Sequence, residues 1–432
     1  MKKDTSDANN RRSFIKTTGA VVIGSAMGLD MVFPKTTFAQ GQSVLKVGLI
    51  GCGGRGTGAA SQALNADPNV VITAMGDVFQ DRLDKAYDLL LKMHPEKVKV
   101  ASENKFIGFD AYQQVIDSGV DVVLLATPPG FRPDHLEAAV KAGKHIFCEK
   151  PVAVDAPGVR KVLAAAKVAK EKGLSLVSGF TFRYDLPKRE LFARVSNGDI
   201  GEIRTVTSTR NGGGLWYFPR EANWTDMEYQ MRNWYYYNWL SGDFIVEMIV
   251  HSLDMMTWAM GGKLPQKASA TGGRQSRVDA KWGNIYDHFA VEYDYGNGVK
   301  GFNFCRQQTG CSNKNSVEVI GSHGHALVEG GTHKITGKNN WQYQGQTKDM
   351  YQVQHDELFA SIRNGKPLND GEFMANSTMM AVLSRMAAYS GQTLSWDQAL
   401  NSDQTLGPAF DEYRWDLKYP VPGPAIPGFT KV

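Results

Sequence analysis

The sequence predicts an α/β protein in two parts: a doubly wound parallel sheet of the Rossmann type, then an α+β domain built on a large, mainly antiparallel open-faced sheet. Three observations predict it. A short apolar run at 44–50 leads straight into a glycine-rich turn, Gly51-Cys52-Gly53-Gly54-Arg55-Gly56. Beyond it, strand-like apolar runs alternate with helix-like segments, which is the rhythm of a parallel sheet wound with helices. From Arg204 onward the rhythm changes to alternating runs and turns such as Asn297-Gly298 and Gly321-Ser322-His323-Gly324, which favour antiparallel pairing.

A leader precedes these parts. Residues 1–39 hold a basic start, the paired arginines of Arg11-Arg12-Ser13-Phe14-Ile15-Lys16, an apolar stretch at 20–33 and the small residues of Thr37-Phe38-Ala39, which together read as a twin-arginine export signal. The apolar stretch contains Gly24, Gly28 and Asp30 and falls short of the roughly 20 residues of a spanning helix, so no membrane insertion is expected once the signal is cut. A periplasmic or otherwise exported location follows. Six basic and three acidic residues in the leader account for +3 of the formal net charge of +4. The remainder is nearly neutral and gives no support for nucleic-acid or anionic-membrane binding. Four cysteines are too few for a disulfide scaffold, although a bridge between Cys305 and Cys311 stays open as an alternative.

In the nucleotide part, 44–50 has the length and branching of a buried strand, and 57–65 is helix-like. Gly51 permits the tight turn, Gly53 lets the backbone approach a pyrophosphate, and Gly56 lets helix pack on strand, so that the phosphates lie at a helix N-terminus. Cys52, Gly54 and Arg55 complete the candidate cradle. A second strand at 70–75 leads to Asp77, 26 residues after Gly51. That acid suits a ribose 2′-hydroxyl and repels a 2′-phosphate, so NAD is expected rather than NADP, with Arg55 and Arg82 the side chains that could still reach a phosphate. Thr57 stands where a Walker loop would carry lysine. Helix 112–118, strand 120–126, helix 133–142 and strand 145–148 continue the alternation, and the strands end in Thr127-Pro128-Pro129 and Glu149-Lys150-Pro151. Open α/β sheets bind ligands at such carboxyl ends. His135 is a candidate cofactor contact, with helix packing as its competing role.

Glu149-Lys150-Pro151, the glycine fingerprint, Thr127-Pro128-Pro129 and the downstream Glu247-x-x-x-His251-x-x-Asp254 together resemble the glucose-fructose oxidoreductase, inositol dehydrogenase and rhizopine-catabolism (Gfo/Idh/MocA) family. The resemblance covers essentially the whole chain after the leader. It implies that Lys150 lies beside the nicotinamide and the substrate hydroxyl, and that Glu247, His251 and Asp254 supply the other polar catalytic groups. It also implies a homodimer or homotetramer, with one face of the second sheet lining the active site and the other pairing subunits. Glu247 replaces the family's usual aspartate, and Ile249 its usual glycine.

The residue chemistry points the same way. Removing a hydride from a secondary alcohol needs a base for the hydroxyl proton, and an unperturbed histidine such as His251 has a suitable pKa. Lys150 can polarise the developing oxyanion. If 246–258 is helical, Glu247, His251, Asp254 and Trp258 share one face. The same stripe could offer metal ligands, but no His-Glu-x-x-His motif or cysteine cluster accompanies it, and no metal is expected.

In the second part, helix 158–172 and strand 175–180 lead through Thr181-Phe182-Arg183-Tyr184 to helix 187–196, and strands follow at 204–210, 290–295, 300–307 and 316–320. Arg183 either faces the substrate or pairs with a nearby acid. An insertion-like stretch, 211–239, holds Trp216, Tyr217, Trp224, Trp234, Tyr235, Tyr236, Tyr237 and Trp239. Aromatic rings of this density suit the apolar faces of sugars, with Arg220, Arg232 and Asn238 for hydroxyls, and packing beneath a long loop is the competing role. Trp216, Trp234, Tyr236, Arg183 and His251 are the candidate substrate contacts. The expected divisions are the signal (1–39), the Rossmann domain (44–170), the substrate and oligomerisation domain (171–410) and a proline-rich tail (411–432) that either clasps a neighbouring subunit or moves freely. The function expected is an exported oxidoreductase with tightly bound NAD(H), acting on a secondary alcohol of a sugar or glycoside. The alternatives are an NAD-dependent glycosidase or lyase working by transient oxidation and elimination, and a non-catalytic sugar or nucleotide binder.

Overall fold

Six strands form the first sheet: β1 (Leu45–Ile50), β2 (Val70–Asp77), β3 (Lys105–Ile107), β4 (Val122–Leu125), β5 (His145–Cys148) and β6 (Leu176–Ser178). In this computed structural model, which describes residues 43–432, they pair in parallel in the order β3-β2-β1-β4-β5-β6. The leader, and with it the expected export signal, lies outside the described residues. All four residues of β4 are buried, as a sheet covered by helices on both faces requires. The strand order reverses between β1 and β4, so the loops after these two strands flank a crevice at the sheet's carboxyl edge. Because β6 completes this sheet, the boundary expected at 170 falls one strand too early.

The second sheet has nine strands: β7 (Ile203–Gly212), β8 (Lys267–Gly273), β9 (His288–Asp294), β10 (Lys300–Gln307), β11 (Lys314–Gly321), β12 (Gly324–Glu329), β13 (Thr332–Gly337), β14 (Trp341–Gln342) and β15 (Leu394–Ser395). Their order is β14-β13-β12-β11-β7-β10-β9-β8-β15, antiparallel except where β7 runs parallel to β10. Period-two alternation sets the faces. Asn303, Cys305 and Gln307 of β10 point into the core, while Phe304 and, in β11, Ile320 stay exposed on the opposite face. Helix Val250–Ala259 covers the inner face, where Ser208 Oγ donates to Met256 Sδ at 3.1 Å. Helix Gly371–Ser390 is buried along most of its length and packs against both helix Ala156–Glu171 and β8, tying the two halves together. The fold class is therefore the expected one.

Cys305 is buried and Cys311 exposed, and both are free thiols, so the alternative bridge does not form. Among the described residues no helix is long and apolar enough to cross a membrane.

The tail differs from expectation. Tyr413, Trp415, Leu417 and Tyr419 turn inward while the intervening Arg414, Asp416 and Lys418 face out. Tyr413 stacks on Phe109 at 5.7 Å and on Trp239 at 5.9 Å, Trp415 meets Phe79 at 5.4 Å and Phe109 at 4.8 Å, and Tyr419 meets Trp239 at 5.5 Å. Farther on, Tyr286 Oη donates to Ala425 O at 2.9 Å and Gly428 N to Ser390 O at 2.8 Å. The tail thus lies along its own chain. Trp415→Ala is expected to destabilise the protein by about 2 kcal/mol, the loss of a half-buried aromatic with two ring partners, and to lower the thermal unfolding midpoint. An unchanged midpoint would show that the strap contributes nothing.

Candidate active site

The glycine turn after β1 separates into two kinds of position. Gly51 has φ +95°, and a Cβ there would stand 2.7 Å from the backbone of Ala126 and Thr127. A Cβ on Gly56 would collide with the Gly51 carbonyl, so the helix begins in direct contact with the loop. Gly53 and Gly54 are the reverse: no atom lies within 4 Å of where their Cβ atoms would be. This open ground lies at the N-terminus of helix Gly54–Ala66, where backbone N–H groups favour an anion. Asp77, at the end of β2, accepts Cys52 N at 2.6 Å on one oxygen and Phe79 N at 2.9 Å on the other. Burial raises its carboxyl pKa above the ordinary value. The acid both closes the loop and lines it, and the residues fit a dinucleotide: pyrophosphate over Gly53 and Gly54, ribose at Asp77. Burial raises the Cys52 thiol well above its usual range, which suits a packing role.

The other expected cofactor residues divide between the crevice and its walls. Arg55 ion-pairs with Glu149, Nε to Oε1 at 2.9 Å, and lies over the Tyr351 ring at 4.9 Å. Thr127, followed by Pro128 and Pro129, edges the crevice, and its Oγ1 lies 3.2 Å from His135 Nδ1. His135 itself turns away. It is 4% exposed, stacks on Tyr112 at 4.2 Å and meets Phe410 edge-on, and burial pushes its pKa down to about 3. Its place is behind Thr127, so packing replaces the expected direct contact with cofactor.

Lys150 leaves β5 ahead of a cis bond to Pro151 and reaches the second domain. Its Nζ donates to Glu247 Oε1 at 2.9 Å and to the Glu247 carbonyl at 2.6 Å. Here the expected continuous helix over 246–258 is interrupted: the chain forms Phe244–Glu247, turns at Met248 and Ile249, and resumes as Val250–Ala259. In an unbroken helix the Glu247 carbonyl would accept from the fourth residue onward. The break leaves that carbonyl to Lys150 instead, so both the main chain and the side chain of Glu247 hold the ammonium. His251 stands in the first turn of the resumed helix, near the rings of Phe182 at 4.9 Å and Phe180 at 6.0 Å, and its Nδ1 is buried with no hydrogen-bond partner. Burial, and then the charges of Lys150, Arg210 and Lys188, lower its pKa well below the ordinary value. His251 is held neutral, which departs from the unperturbed histidine the sequence led us to expect.

Asp254 and Arg183 are corrections. Asp254 is 0% exposed and accepts Arg183 Nε at 2.8 Å, Arg183 Nη2 at 2.9 Å and Ser377 Oγ at 2.8 Å. The Arg183 guanidinium also lies against Trp258 and Phe373, each at 4.6 Å. The two charges satisfy each other in a walled pocket, which is the pairing alternative for Arg183.

The aromatic insertion is mostly packing. Tyr236 is buried and donates its hydroxyl to the carbonyl of Trp216 at 2.7 Å, and Trp239 Nε1 donates to Gln230 at 2.9 Å. Of the polar side chains expected to meet hydroxyls, Arg220 pairs with Asp226, Arg232 with Asp81 and Glu228, and Asn238 with Asn284. Trp216, 40% exposed, and Trp234 retain accessible rings 6.1 Å apart. Tyr235 connects them inward: its hydroxyl donates to Gln307 at 3.1 Å, whose amide nitrogen donates to Met248 Sδ at 3.3 Å beside Glu247. Arg210 was not singled out from the sequence, yet its charge reaches both Glu247 and His251. Its signal was available, as an arginine in the inward register of an alternating strand. Among the described residues no group of three or more His, Cys, Asp or Glu is placed to hold a metal ion.

Comparison with known proteins agrees with this fold. Residues 45–180 match the model of an oxidoreductase family with an NAD-binding Rossmann fold, and residues 189–327 match the GFO/IDH/MocA C-terminal domain. A myo-inositol 2-dehydrogenase of Thermotoga maritima is 25% identical over 66% of this chain and 75% of its own length. An inositol 2-dehydrogenase of Rhizobium meliloti is 28% identical over 51% of this chain and 60% of its own. Among solved structures, an aldose-aldose oxidoreductase from Caulobacter crescentus superposes with TM-score 0.64 at 20% identity, covering 82% of this chain and 99% of that one. A levoglucosan dehydrogenase in complex with NADH and levoglucosan gives TM-score 0.65 at 17% identity, covering 82% and 100%. Matched by both domain models in their order along the sequence, the chain belongs to the GFO/IDH/MocA family of NAD-binding oxidoreductases.

Proposed function

We propose that the protein oxidises and reduces a secondary alcohol of a sugar or cyclic polyol, using NAD that it holds rather than exchanges, outside the cytoplasm. The observation that carries the proposal is the clamp of Lys150 by the Glu247 side chain and freed carbonyl, next to a neutral His251 with an open Nδ1. The bound dinucleotide supplies the hydride acceptor. Lys150 holds the substrate oxygen as negative charge develops on it, and His251 takes the hydroxyl proton. Glu247 fixes the ammonium, so that little reorganisation accompanies reaction. Related proteins named as inositol 2-dehydrogenases, and the structural neighbour bound to levoglucosan, support a sugar or polyol substrate.

Retention of the cofactor is supported at the adenosine end. Phe79, two residues beyond Asp77, is covered by Trp415 of the tail at 5.4 Å and by Arg232 of the insertion at 4.1 Å, and Arg232 is anchored to Asp81. Two segments remote in sequence thus pack on Phe79, two residues beyond the ribose acid. A twin-arginine route, which carries folded proteins, suits such an enzyme, and Asp77 favours NAD over NADP. We place a second copy of the chain on the sheet face bearing Phe304 and Ile320, giving a dimer or tetramer. The test is to purify the protein from outside the cytoplasm and denature it. About one equivalent of NAD(H) per chain is expected in the released fraction, and candidate sugars should change the reduced-nicotinamide absorbance of the intact protein. Recovery of no nucleotide, with none bound on addition, defeats the proposal.

A further inference from the structure

Five cations around the site have an acidic partner, and the buried Arg132 donates to the Pro151 carbonyl. Lys150 is held by Glu247, Arg183 by Asp254, Arg55 by Glu149, Arg189 by Glu357 and Lys188 by Asp185. The Arg210 side chain makes no hydrogen bond and no ion pair among the described residues. It lies two residues beyond Ser208 on β7, and so on the same inner face, which helix Val250–Ala259 covers. Its cross-strand neighbours are Cys305 in β10 and Asn315 in β11, neither of them anionic. Burial lowers the pKa of the guanidinium, and the groups whose charges reach it are Tyr235, Glu247 and Tyr351, from three separate elements. Its guanidinium thus lies within charge reach of Glu247 and His251 without an acidic partner of its own.

Resting on the sugar oxidoreductase proposal above, we infer that Arg210 binds a carboxylate of the substrate, so that the sugar oxidised is a uronic acid or its glycoside. A guanidinium fork and a carboxylate match in shape and can form two parallel hydrogen bonds, whereas a neutral hydroxyl leaves the charge unanswered. Lys150 and Arg210 place two positive charges beside the single carboxylate of Glu247, and an anionic substrate balances the excess. The same anion acts on the base. Arg210 is one of the charges that keep His251 from taking a proton; a carboxylate laid on it weakens that opposition, so the acidic substrate strengthens the group that deprotonates it.

The test uses the exported holoenzyme and matched pairs of hexuronates and hexoses in the gluco, galacto and manno series, with affinity read by calorimetry and turnover by nicotinamide absorbance. At least one hexuronate is expected to bind about tenfold to a hundredfold more tightly than its hexose partner, the worth of a charge-assisted pair. Arg210→Gln should bring that ratio close to one, and Arg210→Lys should restore part of it. In Arg210→Gln the acid limb of kcat/KM should also move to higher pH, as one cation beside His251 is lost. That shift follows from the lost charge alone, and the collapse of the hexuronate preference is what separates a substrate-binding arginine from a structural one. Hexoses bound as tightly as hexuronates by the unaltered protein overturn the assignment without recourse to any variant, and if those hexoses are turned over, the oxidoreductase proposal survives. Absence of binding and turnover for every member overturns the carbohydrate proposal as well.

Discussion

Replacing Lys150 with alanine is expected to lower kcat by about 10³-fold while leaving the cofactor in place. The loss is that of a preorganised donor aimed at developing negative charge, of the order seen when an oxyanion-stabilising group is removed. Little else should change. Among the described residues the Lys150 Nζ hydrogen bonds both go to Glu247, and the pyrophosphate and ribose positions at Gly53, Gly54 and Asp77 belong to other loops. His251→Ala is expected to cost about 10²- to 10⁴-fold, the range for a positioned proton acceptor. The pH dependence follows from the direction of the His251 shift. Its value in the folded protein lies below the ordinary 6.5, so the base stays deprotonated as the solution is acidified past that point. The acid limb of kcat/KM should therefore fall below pH 6.5 instead of at it, and should disappear in His251→Ala. Steady-state rates across pH, with nucleotide content measured on the same samples, provide the check. A Lys150→Ala protein with turnover within tenfold of the original would remove Lys150 from the chemistry.

The first sheet was legible because its signals are local. An apolar run such as β4, buried on both faces, reads as an interior strand, and Gly51 and Gly56 stand where a side chain would collide with the loop. The loop lysine was legible for the same reason, since Glu149-Lys150-Pro151 follows directly from a strand end. What failed was reasoning that needed a partner. Asp254 and Arg183 lie 71 positions apart, and nothing in either segment names the other. The break between Glu247 and Val250 was hidden by a sequence with neither proline nor glycine at Met248 and Ile249; the carbonyl it frees is taken by a lysine nearly a hundred residues away. The aromatic insertion shows the limit of composition, because rings that bury against a loop and rings that meet a sugar are the same residues. The tail is a different case. Tyr413, Trp415, Leu417 and Tyr419 alternate with charged residues at period two, a local sign of a half-buried extended segment that its prolines overshadowed.

Asp254→Ala is expected to destabilise the protein by about 4 kcal/mol, the scale of breaking a buried ion pair and leaving its partner uncompensated. The side chain of Arg183 is 17% exposed and that of Asp254 1%, so solvent screens the pair little. Removing the acid strands a guanidinium between Trp258 and Phe373 and deprives Ser377 of its acceptor. Activity should fall as well, since Asp254 and His251 lie one turn apart on helix Val250–Ala259 and the helix must shift to rehydrate Arg183. That coupled loss is what a catalytic aspartate would also produce, and the second substitution separates the two. Exchanging both partners for apolar residues of similar size, Asp254→Leu with Arg183→Met, removes the stranded charge along with the pair, and replacements of this kind are often nearly neutral. The double variant should regain most of the thermal midpoint and, with it, turnover within about tenfold of the original protein. A double variant that recovers its stability and stays inactive would mean that Asp254 touches the reaction after all. A single variant with full stability and no turnover would mean the same. Recovery of both would place Asp254 as the residue that, by holding Arg183, keeps the His251 helix where Lys150 can share a substrate with it.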